Sequence, residues 1–281
     1  MHTTRFAPSP TGLLHLGHAF AALTAAEAAG DGRFLLRIED LDATRARDEY
    51  ERAIEEDLEW LGLTWPKPVL HQSSRSEHYR RALEVLAGQN LTYPCFCTRK
   101  QIAVEIARAV EAPQGPDAPL YPGICRQLAP DERAARIGRG EVYAVRLNAA
   151  AAAARCGSLT FTEAGAGPHG ESGLIKVDPG LLGDIVLARR DAPAAYHLAV
   201  VVDDAYQGVT LVTRGNDLFA ATHVQRLLQT LLQLPESRYA HHRLVLDAGG
   251  RKLSKRCGAT SLRELRERGW RVSDVQRAVG A

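Results

Sequence analysis

A strand-then-helix alternation opens this chain, breaks at Tyr93 and resumes near Asp184, and that interrupted rhythm limits the fold more than any single residue does. Thr3 to Phe6 and Phe34 to Ile38 read as short apolar strands. Gly17 to Ala29, Thr44 to Leu61 and Ser76 to Leu86 read as helices, the first two stopped by Gly30 and Gly62. Past the break, Asp184 to Arg189 and Thr210 to Arg214 read as strands, and Ala194 to Asp204 and Asp217 to Leu232 as helices. Strands that alternate with helices build a parallel sheet, so the fold class is α/β. Residues 93–185 hold most of the cysteines, a proline-rich stretch (Ala112 to Pro122), an alanine tract (Ala149 to Ala154) and a glycine-rich loop (Gly165 to Gly173). They read as an insertion with a small core of its own. After Tyr239 to Leu246 comes a polar loop, and short helices close the chain; no internal repeat is visible.

The 281 residues, 45% hydrophobic and 24% charged, suit one large globular domain or two interlocked ones. The formal net charge of +2 does not announce a nucleic-acid partner, because charge must cluster to bind one. Nothing points to DNA. Five cysteines, an odd number, argue against a disulfide framework and for a reducing compartment. No apolar run reaches the length of a bilayer span, and the opening MHTTRFAPSP lacks a signal-peptide core. The expectation is a cytoplasmic monomer with no membrane partner.

Three short patterns carry chemistry. His15-Leu16-Gly17-His18 falls between the first strand and the first long helix. It puts two imidazoles and a glycine at a helix N-terminus, where unpaired N–H groups favour phosphate. Gly17 lets a nucleotide approach the backbone, and His15 and His18 can donate to charge that builds up at phosphorus. Alone, such an HxGH is compatible with chance; the rigid turn Ala7 to Gly12 just before it adds weight. Lys252-Leu253-Ser254-Lys255-Arg256 follows Gly249-Gly250 in a polar loop. Lys252 and Lys255 can close over a triphosphate as a mobile clamp, although such a run by itself usually means a solvated basic loop. Cys95, Cys97 and Cys125 are three thiols of the kind that hold tetrahedral zinc, which needs a fourth ligand; the plainer reading is buried cysteines in a strand. Cys156 and Cys257 carry no assigned role.

Taken together, HLGH near the start and KLSKR near the end resemble the two signature motifs of class I aminoacyl-tRNA synthetases. Arg5 to Gly12 (RFAPSPTG), Arg37 to Asp42 (RIEDLD), Tyr196 to Ala199 with Asp203-Asp204, and Arg214 to Asp217 (RGND) are similar, in the same order, to the glutamyl-tRNA synthetase catalytic domain. The resemblance covers nearly the whole chain. It implies a Rossmann-type nucleotide-binding core in two halves, residues 1–92 and 186–240. Between them, residues 93–185 would form an inserted zinc-containing subdomain, and residues 241–281 would hold the KLSKR loop and a short helical segment.

Site roles follow from the resemblance by position. Arg5 and Arg214 would grip the substrate glutamate, Glu39 would accept from its ammonium, and Ala7, Ser9 and Tyr196 would complete the pocket. His15, Gly17, His18 and Lys255 would bind ATP, with His15, His18, Lys252 and Lys255 catalytic and Mg²⁺ accompanying the nucleotide. Tyr121 would be the fourth ligand of a structural Zn²⁺ held by Cys95, Cys97 and Cys125. Only Cys257 to Ala281 follow the KLSKR loop, which leaves no room for a helical anticodon-binding region. That points to the branch of the family that attaches glutamate to queuosine in the anticodon loop of tRNA(Asp), activating glutamate without tRNA present. Two rivals stay open: a minimal glutamyl-tRNA synthetase paralogue with another acceptor, and a catalytically silent RNA-binding remnant. A cytidylyltransferase, which also uses HxGH, fits the arginine pair and the KLSKR loop poorly. Glutamine as substrate fits two arginines less well than glutamate does.

Overall fold

The computed structural model describes residues 1–108, 119–189, 191–247, 249–250, 253 and 260–280, with the backbone alone for 105–108. The chain opens with β1 (Thr3–Phe6), α1 (Leu16–Ala29), β2 (Arg33–Ile38), α2 (Asp48–Trp60), β3 (Leu70–His71) and α3 (Ser76–Gly88). β1, β2 and β3 pair side by side, all parallel. α1 is rich in alanine, and its small side chains let it lie directly on β1: the Thr4 hydroxyl donates to the Ala25 carbonyl at 2.6 Å. Gly32 then brings the chain against His2, where a Cβ would meet the His2 carbonyl oxygen at 2.0 Å. The expected helix over 44–61 starts only at Asp48. Thr44 bonds back to Asp42, and the Arg47 N–H is taken by the Pro10 carbonyl, so the intervening residues form a turn instead.

Next come β4 (Thr92–Cys95), α4 (Arg99–Arg108), α5 (Pro130–Gly138), β5 (Ala144–Leu147), α6 (Ala149–Cys156), β6 (Thr160–Glu163), β7 (Gly173–Lys176) and β8 (Val186–Ala188). The alanine tract is α6, capped by the Asn148 side chain accepting from the Ala151 N–H. β8 pairs antiparallel with β5, which pairs antiparallel with β4. The strand expected over 184–189 thus exists in shorter form but lies outside the parallel sheet, because strand rhythm does not name a partner.

The rest is α7 (Tyr196–Tyr206), β9 (Leu211–Gly215), α8 (Phe219–Leu231), β10 (Arg238–His242), α9 (Leu262–Glu267) and α10 (Val272–Val279). β9 and β10 pair in parallel over five positions, β10 meets β6 at Tyr239 and Glu163, and β7 forms the edge. The two parallel groups meet at Thr3 and Thr210: the Thr210 N–H donates to the Thr3 carbonyl at 2.9 Å, and the Thr3 N–H to the Thr210 hydroxyl at 3.0 Å. Strand order therefore reverses between β1 and β9, the kind of crevice where open α/β sheets bind ligands. Leu147 and Leu187 share one buried cluster with Tyr79, Leu198 and Leu228, so the antiparallel sheet is tied to α3, α7 and α8. A second cluster joins Phe6, Ile38 and Leu58 to Leu262 and Val275, anchoring the closing helices. Among the described residues no helix is long and apolar enough to cross a membrane.

Candidate active site

The carboxyl ends of β1, β2, β9 and β10 open onto one cavity of about 480 Å³. Arg5, Ala7 and Ser9 line it from the end of β1, Glu39 from the end of β2, and Arg214 from β9. His15, Gly17 and His18 reach it from the start of α1, and Tyr196 from the first position of α7. The residues expected to form the glutamate pocket thus face the same space as His15, Gly17 and His18. Lys252 and Lys255 lie outside the described residues. Their described neighbour Leu253 lines the cavity and donates its N–H to the Val245 carbonyl at 3.2 Å.

The HLGH residues fold as a helix cap. His15 is the N-cap of α1; its Nδ1 accepts the Gly17 N–H at 3.1 Å, and Nδ1 of His18 accepts the His15 N–H at 3.2 Å. The two rings lie 3.8 Å apart, centroid to centroid. An Nδ1 that accepts a backbone proton carries none itself, so each neutral ring bears its proton on Nε2. One local structure therefore stabilises the helix start and fixes two imidazoles as Nε2–H donors at the positive end of α1.

Arg5, Asp204, Arg37 and Glu39 form a chain of alternating charge, buried except at Glu39, which is partly open to the cavity. Arg5 donates from Nε to Asp204 at 3.0 Å and from Nη1 to the Thr213 carbonyl at 3.2 Å. Arg37, fully buried, donates to Asp204 at 2.6 Å and to Glu39 at 3.2 Å. Burial works against the Asp204 carboxylate, but Arg5 and Arg37 outweigh it and hold its pKa below the usual range. Glu39 has the opposite balance: burial raises its pKa, and Arg37 and Arg5 only partly offset that. Glu39 is thus a carboxylate whose charge lacks full compensation, as suits a group awaiting a cation.

Arg214 is held differently. Its Nε donates to Nε2 of His241 at 3.0 Å, Nη1 to Gln225 at 2.7 Å and Nη2 to the Thr222 hydroxyl at 2.6 Å. No local pattern marks His241, Gln225 or Thr222 as partners of Arg214, or Glu163, which sits behind His241. Asp204 lay within a quoted motif but had no role until Arg5 and Arg37 were seen to share it. The cavity wall also includes Asp217, which closes the RGND segment but had no assigned role, and Thr213, His242 and Leu244, which lie outside the motifs.

A second group gathers Cys95, Cys97, Tyr121 and Cys125. The three sulfurs lie within 4.8 Å of one another, with Cys97 and Cys125 at 3.4 Å. The Tyr121 hydroxyl is 3.4 Å from Sγ of Cys95 and 3.6 Å from Sγ of Cys97. Sulfurs around a tetrahedral zinc lie roughly 3.8 Å apart, so the described spacing fits such an ion. The Phe96 N–H points at Sγ of Cys125 at 3.3 Å, and the Cys125 N–H at the Tyr121 oxygen at 2.9 Å, as if both were to carry negative charge. Burial pushes the Cys97 thiol up to about 12 and raises the Tyr121 phenol as well. These groups cannot all ionise together without a cation among them. The cluster can hold a metal. The four described cysteines form no disulfide.

The family model "tRNA synthetases class I (E and Q), catalytic domain" matches residues 2–275. The glutamyl-Q tRNA(Asp) synthetase of Rhodobacter capsulatus is 48% identical, over 99% of this chain and 99% of its own. That of Symbiobacterium thermophilum is 42% identical, over 94% of this chain and 81% of its own. A solved glutamate tRNA ligase from Elizabethkingia meningosepticum, in complex with its amino acid, aligns with a TM-score of 0.73 at 28% identity; 92% of this chain matches 52% of that one. Similar to them along nearly its whole length, the chain belongs to the glutamyl-Q tRNA(Asp) synthetases, ligases of the class I tRNA synthetase family.

Proposed function

We propose that this enzyme activates L-glutamate with ATP as glutamyl-adenylate, with no tRNA required, and transfers the glutamyl group to queuosine in the anticodon loop of tRNA(Asp). The observation that carries the first step is the meeting, in one cavity, of Arg5 and Arg214 with Glu39 and the two capping imidazoles. The arginines bind carboxylate, Glu39 accepts from the substrate ammonium, and Ala7, Ser9 and Tyr196 close the pocket around the chain of the amino acid. The glutamate α-carboxylate attacks the α-phosphorus of ATP, and the bond to the leaving pyrophosphate breaks. Gly17 leaves room for the nucleotide, while the Nε2–H groups of His15 and His18, with Lys252 and Lys255, stabilise the charge that develops. Mg²⁺ bound with ATP supplies neutralisation of the phosphates.

In the second step a hydroxyl of the queuosine cyclopentene ring attacks the acyl carbon. The glutamyl ester forms, AMP leaves, and a phosphate oxygen of AMP takes the proton. The queuosine acceptor is supported by the names of the two relatives just described rather than by any residue of the cavity. The set of Cys95, Cys97, Tyr121 and Cys125 would hold a structural Zn²⁺ remote from the reaction.

The test offers labelled glutamate and ATP to three purified RNAs: tRNA(Asp) with queuosine, the same tRNA without it, and tRNA(Glu). Labelling of the first alone supports the whole reading. Labelling of tRNA(Glu) instead would make this a minimal conventional synthetase. Absence of glutamate-dependent pyrophosphate exchange would favour a silent RNA-binding remnant.

A further inference from the structure

We infer that Glu163 and His241 form a buried positioning pair that sets the orientation of Arg214, and through it the affinity of the site for glutamate. The inference rests on the reading of Arg214 as a glutamate-binding residue. Neither side chain of the pair has any solvent exposure, and neither lines the cavity. The pair reaches the cavity through Arg214, and Nε2 of His241 also lies 3.4 Å from the Thr222 hydroxyl.

The tautomer of His241 follows from its neighbours. Glu163 accepts three donors: Oε1 takes the N–H groups of His241 at 2.9 Å and Gly165 at 2.8 Å, and Oε2 lies 2.6 Å from Nδ1 of His241. Burial opposes the charged carboxylate, but these bonds win and hold its pKa below the ordinary range. An ionised carboxylate only accepts, so Nδ1 of His241 carries a proton. Arg214 only donates, so Nε2 must offer its lone pair to the Arg214 Nε–H at 3.0 Å. The ring is therefore neutral, with its proton on Nδ1, and burial favours that form.

The arrangement differs from that of Arg5, whose carboxylate Asp204 touches it directly at 3.0 Å. Here an imidazole stands between acid and guanidinium, and the two other described hydrogen-bond partners of the Arg214 side chain, Gln225 and Thr222, are neutral too. Arg214 is held on three sides by neutral acceptors, while the compensating negative charge sits one ring's width away. Its attraction for an arriving carboxylate is preserved, and its plane is fixed. Gly165 is part of the device: a Cβ there would meet the His241 carbonyl oxygen at 2.3 Å, so only glycine lets the loop after β6 bring its N–H onto Glu163.

The pair is tested by Glu163→Gln, His241→Leu and His241→Gln in glutamate-dependent pyrophosphate exchange. In Glu163→Gln the amide oxygen stays on the two backbone donors and its NH₂ faces Nδ1. The ring proton then moves to Nε2 and opposes the Arg214 Nε–H. The KM for glutamate is expected to rise about tenfold or more, with kcat and the KM for ATP within about twofold of wild type. His241→Leu, which removes the acceptor, should do the same. His241→Gln, whose side-chain oxygen can reach the place of Nε2, should return the KM most of the way. Unchanged glutamate KM in both Glu163→Gln and His241→Leu overturns the inference. So does an equal loss in kcat and both KM values, which would mark a purely structural role. Wild-type protein that shows no glutamate-dependent exchange would instead overturn the proposed function. The pair is then still judged by ¹⁵N shifts of the His241 ring: a bare Nε2 upholds it, and a protonated Nε2 overturns it.

Discussion

Arg37 donates to Asp204 at 2.6 Å in a place where Arg37 has no contact with solvent. Asp204 also holds Arg5, so one carboxylate balances two guanidinium groups, one of which faces the cavity. Removing that carboxylate leaves Arg5 without its ion-pair partner and Arg37 with Glu39 alone. Asp204→Asn should cost about 3–5 kcal/mol in urea denaturation and raise the KM for glutamate through the loosened Arg5. A variant as stable as wild type would show that the charges are compensated elsewhere.

The capping role of His15 can be separated from its chemistry. Asparagine is a good N-cap, so His15→Asn should keep stability within about 0.5 kcal/mol while slowing adenylate formation on the order of a hundredfold. His15→Ala should slow the reaction similarly and also lose about 1 kcal/mol of stability. Denaturation and pyrophosphate exchange on the same preparations check both.

Glu39 predicts a pH dependence. Burial raises its pKa above the ordinary carboxylate range, so on acidification it takes up a proton sooner than a free glutamate would. Protonated, it no longer accepts well from an ammonium group. The KM for glutamate should therefore rise as pH falls from neutrality through that raised pKa, with the KM for ATP nearly constant. Glu39→Gln should show a high KM at neutral pH and lose most of the dependence. A wild-type KM for glutamate that stays flat would remove Glu39 from the substrate site.

The cysteine group predicts about one zinc ion per chain by metal analysis, lost in Cys97→Ser and Cys125→Ser. Chelation should lower the unfolding temperature of the wild type and leave those variants unaffected. Metal-free protein with the same unfolding temperature as the native preparation would exclude a structural ion.

What could be read from the sequence was what is local. Arg5, Glu39 and Arg214 each lie within one residue of the end of a strand, and His15 and His18 start a helix, so short patterns carried both their place and their type. Cys95, Cys97, Tyr121 and Cys125 come within reach of one another across one fold of the chain. Pairings set by strand register were not legible. Glu163 and His241 are 78 residues apart and meet only because β6 and β10 are neighbours. The strand rhythm likewise could not say that β8 would leave the parallel sheet for β5, since hydrophobic alternation marks which face is buried and is silent on the partner.

β6 lies between β7 and β10, yet in sequence it falls inside the stretch that separates the two parallel groups. That stretch is consequently no interchangeable cassette. Trimming residues 93–185 away would pull a plank from the sheet beneath the cavity and take Glu163 with it. Any change to this part of the molecule is then constrained by the footing of Arg214, because Glu163 on β6 holds the imidazole on which that guanidinium rests.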